Sequence, residues 1–127
     1  MNNNICGLAH FGLYVRNIEV SKAFYTGILG FTITHETTKN GLHLCFLRNG
    51  DCEIELVAKP DQPARTDGYF DHLCLRVQDI DAAVAHLRAN GIEPEFAVRD
   101  MPQVYNGIKM VMFRGPDGEH LEFNQFL

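Results

Sequence analysis

Two histidines and two glutamates occupy matching places in a chain that repeats itself. His10-Phe11-Gly12-Leu13-Tyr14-Val15 lines up with His72-Leu73-Cys74-Leu75-Arg76-Val77, at a spacing of 62 residues. Ile54-Glu55-Leu56 lines up with Leu121-Glu122-Phe123 at a spacing of 67, so the second copy is longer by a few loop residues. Each copy therefore offers one His near its start and one Glu near its end. Two imidazoles and two carboxylates suit a divalent metal. Imidazole favours Zn, Ni, Co or Fe, and carboxylate tolerates Mn as well. Four protein ligands in an octahedral sphere leave two positions for water or substrate oxygens.

The elements that must position these residues follow from local pattern. Phe11, Leu13 and Val15 alternate with His10, Gly12 and Tyr14, which is the period of a half-covered strand. Leu73, Leu75 and Val77 alternate with His72, Cys74 and Arg76 in the same way. Asn17 and Asp79 are good helix N-caps, because a short side-chain oxygen can accept from free amide N–H groups. Ile80, Val84 and Leu87 form one helical stripe, and Gly30 and Gly91 end the two helices as left-handed caps. Strands are expected at residues 31–36, 42–48, 52–57, 95–98, 109–113 and 120–125. Asn40-Gly41 and Asn49-Gly50 are hairpin dipeptides, and Gly115-Pro116-Asp117-Gly118 is a third turn.

The pattern reads as β-α-β-β-β twice. Residues 1–127 form one domain with modules at about 6–58 and 69–127, joined by a linker at about 59–68 that holds two prolines and no apolar period. A module of about 60 residues is marginal alone, so the two are expected to share a core. Strand parity places His10, Gly12 and Tyr14 on one face, with Glu53, Glu55 and Val57 on one face of the last strand of the first copy. In the second copy, His72, Cys74 and Arg76 share a face, as do His120, Glu122 and Asn124.

Composition narrows the function. The 127 residues carry 11 Lys and Arg against 16 Asp and Glu, a formal net charge of −5. That balance argues against nucleic acid or an anionic membrane as a main partner. There is no apolar run long enough to span a bilayer, and Met1 to Cys6 lacks the pattern of an export signal, so a cytoplasmic protein is expected. None of the four cysteines, Cys6, Cys45, Cys52 and Cys74, forms a C-x-x-C pair, and they read as reduced thiols rather than metal ligands.

The chain resembles the vicinal oxygen chelate (glyoxalase, bleomycin resistance, extradiol dioxygenase) superfamily over nearly its whole length, from about Cys6. The resemblance rests on the His10 strand followed by Val15, Asn17, Ser21, Phe24-Tyr25 and Leu29-Gly30-Phe31, then on Ile54-Glu55-Leu56 and the His72 strand. Gly115-Pro116-Asp117-Gly118 leading into Leu121-Glu122-Phe123 completes it. It implies an α+β fold in which two βαβββ modules with curled mixed sheets form a metal-centred cleft. The His, Glu, His, Glu order is most similar to glyoxalase I (lactoylglutathione lyase). The implied ligands are His10, Glu55, His72 and Glu122, holding one divalent ion (Ni, Zn, Co or Mn).

The resemblance implies isomerisation of a 2-oxoaldehyde–thiol hemithioacetal to a 2-hydroxyacyl thioester. Proton transfer by a glutamate would pass through a metal-bound ene-diolate, a role in methylglyoxal detoxification. Glu122 is the first candidate for the base and Glu55 the second, since a ligating carboxylate is already held beside the substrate carbon. Glyoxalase I proteins resembling this chain carry Arg where Tyr14 stands and Asn where Lys59 stands, positions that help to hold glutathione, so the thiol is open. Arg76 holds the place symmetric to Tyr14. Arg76 is a candidate substrate-binding residue for an anion, and Tyr14 a candidate wall of the cavity. A homodimer is expected.

Other residues read as structural. Glu53 and His120 flank the ligands as wall or rim, His120 with a possible supporting role to a ligand. His35, His43 and His86 have no partner in the repeat. Cys74 reads as a small filler, and residues 101–107 as an ordinary loop. Two competing functions differ in class. One is another metalloenzyme of the superfamily (epimerase, dioxygenase or thiol transferase) using His10, His72 and Glu122. The other is a metal-free small-molecule binding protein, which usually loses the ligand set.

Overall fold

A computed structural model describes residues 4–63 and 67–127, and of Lys39 the backbone alone. Residues 64–66 of the expected linker and residues 1–3 of the expected leaderless start lie outside the described residues. The chain divides into two compact units, Met1–Gln62 and Pro63–Leu127.

In the first unit, β1 (Phe11–Val15) leads to α1 (Ile18–Ala23), which widens into one π-helical stretch, Phe24–Ile28. Then come β2 (Thr32–Lys39), β3 (Leu42–Asn49) and β4 (Cys52–Ala58). The sheet order is β1-β4-β3-β2, with β1 parallel to β4 and the other neighbours antiparallel. The second unit repeats this with β5 (Leu73–Arg76), α2 (Ile80–Ala89), β6 (Arg99–Met101), β7 (Ile108–Arg114) and β8 (His120–Phe126), in the order β5-β8-β7-β6. Again the first and last strands are the parallel pair. These are two four-stranded mixed sheets with few helices, an α+β fold with two β-α-β-β-β units.

The sequence signals act where expected. Asn17 Oδ1 accepts from Glu19 N at 3.1 Å and Val20 N at 3.2 Å, and Asp79 Oδ1 accepts from Ala82 N at 3.1 Å. These bonds satisfy amides that a helix start leaves free. Gly30 and Gly91 have φ of 75° and 79°, the left-handed region that a helix stop needs and that glycine enters without cost. The Gln125 side chain accepts from Ile80 N at 2.9 Å and ties the start of α2 to β8.

Each sheet has a covered and an open face. Ile54 and Leu56 of β4, with Cys45 and Leu47 of β3, are fully buried, and they share the apolar side with Tyr25. In the second unit Ile80, Leu87, Val111, Phe113 and Leu121 form the equivalent core. Burying a residue of this kind stabilises by about 1.5–3 kcal/mol, so parity is strongly specified and the polar residues of β1, β4, β5 and β8 must take the other face.

Two expectations need correction. The strand expected at 95–98 is instead Arg99–Met101. Pro94 brings no amide to a ladder, and Glu95 makes a single bond there, from its N–H to Met112 O at 2.8 Å. Met101 therefore belongs to a strand, and only the rest of 101–107 is loop. The first helix is also not uniform. Thr26 Oγ1 donates to Lys22 O at 2.7 Å, competing with the helical ladder, and Leu29 N bonds to Phe24 O at the wider π spacing.

Candidate metal centre

His10 and His72 each stand one residue before a strand, so each side chain falls on the open face two positions ahead of Gly12 and Cys74. Gly12 is opposite Glu55 in the β1–β4 register, and Cys74 is opposite Glu122 in the β5–β8 register. The two units thus present the same construction: a histidine entering the first strand and a glutamate on the parallel neighbour.

The distances match as well. His10 Nε2 is 3.3 Å from Glu55 Oε1, and His72 Nε2 is 3.1 Å from Glu122 Oε1. Two neighbouring ligands of an octahedral ion bound at about 2.1 Å lie about 3.0 Å apart. Each pair is therefore spaced as two ligands of one small cation would be. Among the described residues no group of three or more metal-binding side chains gathers, so each unit offers a pair.

The surroundings of the two pairs differ. In the first unit, the Phe46 ring meets His10 edge-on at 5.5 Å, and Phe46 stands opposite Glu55 in the register, so it walls the pair. A Cβ added at Gly12 would meet Glu55 Oε1 at 3.5 Å, an ordinary contact. Glu53 accepts from Thr34 Oγ1 at 3.2 Å and lies 3.5 Å from Arg48.

In the second unit, Glu122 is buried, 7% exposed, whereas Glu55 is partly open. Its neighbour Cys74 keeps outer surface, yet burial around the sulfur, together with the nearby Glu122 carboxylate, pushes the thiol up to about 12. Cys74 is thus a neutral thiol beside Glu122, a poor nucleophile. His72 Nδ1 lies 2.8 Å from Asp71 Oδ2. His120 sits behind, its ring 6.1 Å from that of His72. Its buried Nε2 is 2.9 Å from Glu95 Oε1, though not aligned as a hydrogen bond. Glu95 in turn meets Arg114 Nε at 2.9 Å, and Arg114 reaches Asp67 at 3.0 Å.

The two substrate-binding candidates also stand on the open faces. Lys59 Nζ lies 4.6 Å from the centre of the Tyr14 ring, and the Arg76 guanidinium lies 5.1 Å from that of Phe126. Asp71, Phe46 and Phe126 are the neighbours that sequence reasoning did not single out. Adjacency to His72 was a usable signal for Asp71, and parity with Glu122 was one for Phe126. Among the remaining histidines, His35 tilts against Phe46 at 5.9 Å and His43 lies 3.6 Å from Glu36.

The fold and the repeated His–Glu pairs point to a class. The sequence profile of the Glyoxalase/Bleomycin resistance protein/Dioxygenase superfamily matches residues 7–123, and the chain belongs to that superfamily. It is 37% identical over 124 residues to "Uncharacterized protein YaeR" of Escherichia coli (strain K12), covering 89% of this chain and 91% of that one. It is similar to the crystal structure of a glyoxalase family protein from Enterococcus faecalis, with TM-score 0.79 and 29% identity over 94% of this chain and 97% of that one. The fold is also that of the fosfomycin resistance protein FosX from Listeria monocytogenes, solved with Mn(II) and sulfate. That match has TM-score 0.76 and 17% identity, covering 97% of this chain and 94% of that one. Among the described residues no helix is long and apolar enough to cross a membrane.

Proposed function

We propose that the protein is a metal-dependent lyase of glyoxalase I type, converting the hemithioacetal of a 2-oxoaldehyde and a thiol into a 2-hydroxyacyl thioester. The observation that carries this reading is the same His–Glu pair at the same register in both units. His10, Glu55, His72 and Glu122 would hold one divalent ion, with the two pairs drawn from one chain or from two chains of a homodimer. When bound, such an ion supplies Lewis acidity to two neighbouring substrate oxygens.

The chain's own residues do the rest. His10 and His72 present imidazole nitrogens. Glu122 removes the proton from the carbon that bears sulfur and hydroxyl and returns it to the adjacent carbon, while the hydroxyl proton passes to the former ketone oxygen, so that one oxygen becomes the thioester carbonyl and the other the product hydroxyl. The burial of Glu122 keeps bulk water from that proton. Glu55, more open, is the second candidate. Lys59 and Arg76, each resting on an aromatic ring, can turn to an anionic end of the thiol, while Tyr14 lines the wall. This arrangement supports a charged thiol without requiring glutathione, since the Tyr14 and Lys59 positions depart from the glyoxalase I pattern. Tyr69 and Phe70, 106% and 88% exposed in the single chain, suit burial against a second copy.

The test is a direct assay of the methylglyoxal–glutathione hemithioacetal with protein loaded in turn with Ni(II), Zn(II), Co(II) and Mn(II). Thioester formation that Glu122→Gln abolishes supports the reading. Absence of turnover with every metal, for glutathione and for other small thiols alike, refutes it.

A further inference from the structure

The two half-sites differ in one respect that the repeat does not predict. His72 has a carboxylate on each side of its ring, with Asp71 Oδ2 2.8 Å from Nδ1 and Glu122 Oε1 3.1 Å from Nε2. A neutral imidazole has one N–H and one lone pair, so it satisfies only one of two acceptors. As a metal ligand His72 would be neutral, and with its N–H at the shorter contact, to Asp71, it would turn the Nε2 lone pair toward Glu122 and a shared cation. In the first unit the residue before His10 is Ala9, and the carboxylate partner of His10 among the described residues is Glu55 alone.

We infer that Asp71 is a positioning residue of the second half-site. It accepts the Nδ1 proton of His72, fixes the tautomer, and so aims the Nε2 lone pair at the cation shared with Glu122. The inference rests on the metal-site reading above. The geometry fits the general way in which a histidine ligand is held, by an acceptor on its second nitrogen. The same Oδ2 lies 3.6 Å from His120 Nδ1, beyond hydrogen-bonding distance. The second unit then offers a ligand pair whose histidine is already oriented.

The test measures Zn(II) and Co(II) dissociation constants of the full-length protein by competition with a chromophoric chelator. Asp71→Ala should weaken both by about 10–100-fold. Asp71→Asn, whose amide oxygen can accept the same proton, should recover to within about threefold of wild type. The Asp71 side chain is 57% exposed, so metal-free Asp71→Ala should melt as the wild type does. An Asp71→Ala protein that binds metal like the wild type overturns the inference and leaves the metal-site reading standing. An Asp71→Asn protein as weak as Asp71→Ala overturns the tautomer role. A wild type that binds neither ion, nor Ni(II) or Mn(II), overturns the metal-site reading and with it this inference.

Discussion

Tyr14 and Arg76 hold the same strand position in the two units, 62 residues apart, and each is the opposite half of a cation–aromatic pair. Tyr14 faces Lys59, and Arg76 faces Phe126, which follows Lys59 by the same 67 residues that separate Glu55 from Glu122. The pseudo-symmetry thus preserves the contact while exchanging its members. Each unit thus carries one cation resting on a ring, although the chain as a whole is acidic.

A cation resting on a ring keeps most of its charge available, because such contacts contribute only about 0.5–1 kcal/mol at exposed sites. Lys59→Ala and Arg76→Ala should therefore each raise KM for a hemithioacetal of a carboxylate-bearing thiol by about tenfold, with kcat changed less than about twofold. Salt should narrow the difference. The adduct of an uncharged thiol should show no such loss. Steady-state kinetics with both thiols decides the matter, and equal losses for the two would refute an anion-binding role.

Removal of metal gives a second expectation. Dialysis against a strong chelator should abolish turnover, and stoichiometric Ni(II), Co(II), Zn(II) or Mn(II) should restore it. Glu122→Gln should keep the fold and lose about 10²–10⁴-fold in kcat, the usual contribution of a positioned base. Circular dichroism and metal content measured beside the rate separate the two effects. A Glu122→Gln protein that turns over normally would move the base to Glu55.

Much of this was legible because one side-chain period sets both the core and the site. Burying Ile54 and Leu56 forces Glu55 to the open face, and burying Leu121 does the same for Glu122, so a period-2 pattern fixed where the glutamates point. The helix limits were legible because Asn17, Asp79, Gly30 and Gly91 act within a few bonds of themselves. The third strand of the second unit was not. It pairs over only three residues, Arg99 to Met101, and its place is set by β7 rather than by its own sequence. The chain of contacts from Glu95 through His120 to Asp71 was hidden for the same reason, since it joins a loop, a strand end and the approach to β5.

The helix caps offer a stability measurement in each unit. Asn17→Ala removes an acceptor used by two amides, and Asp79→Ala removes one used by Ala82 N. Each should cost about 1 kcal/mol in urea unfolding, within the usual range for a cap. Replacement by Ser should restore most of it. A cap variant as stable as the wild type would mean that packing of α1 or α2 on its sheet holds the helix start without the side chain.

The Lys22–Glu36 pair ties α1 to β2 and should set an acid limit on stability. Lys22 Nζ lies 2.7 Å from Glu36 Oε1. The hydrogen bond from Lys22 holds the Glu36 carboxyl below its ordinary 4.5, with help from Cys45 and His43, and the same bond raises Lys22 above its ordinary 10.5. A carboxylate whose pKa is lower folded than unfolded stabilises fully above the ordinary value and loses that stabilisation as pH falls through the lowered one. A lysine whose pKa is raised behaves oppositely, stabilising below 10.5 and losing the effect as pH rises beyond it. The melting temperature of the wild type should therefore exceed that of Glu36→Gln by a constant margin between about pH 6 and pH 9, and the margin should shrink as pH falls below 4.5 through the lowered carboxyl value. Thermal melts of both proteins over the acid range check it, and a margin that does not shrink at all on acidification would show that Glu36 acts through packing rather than charge.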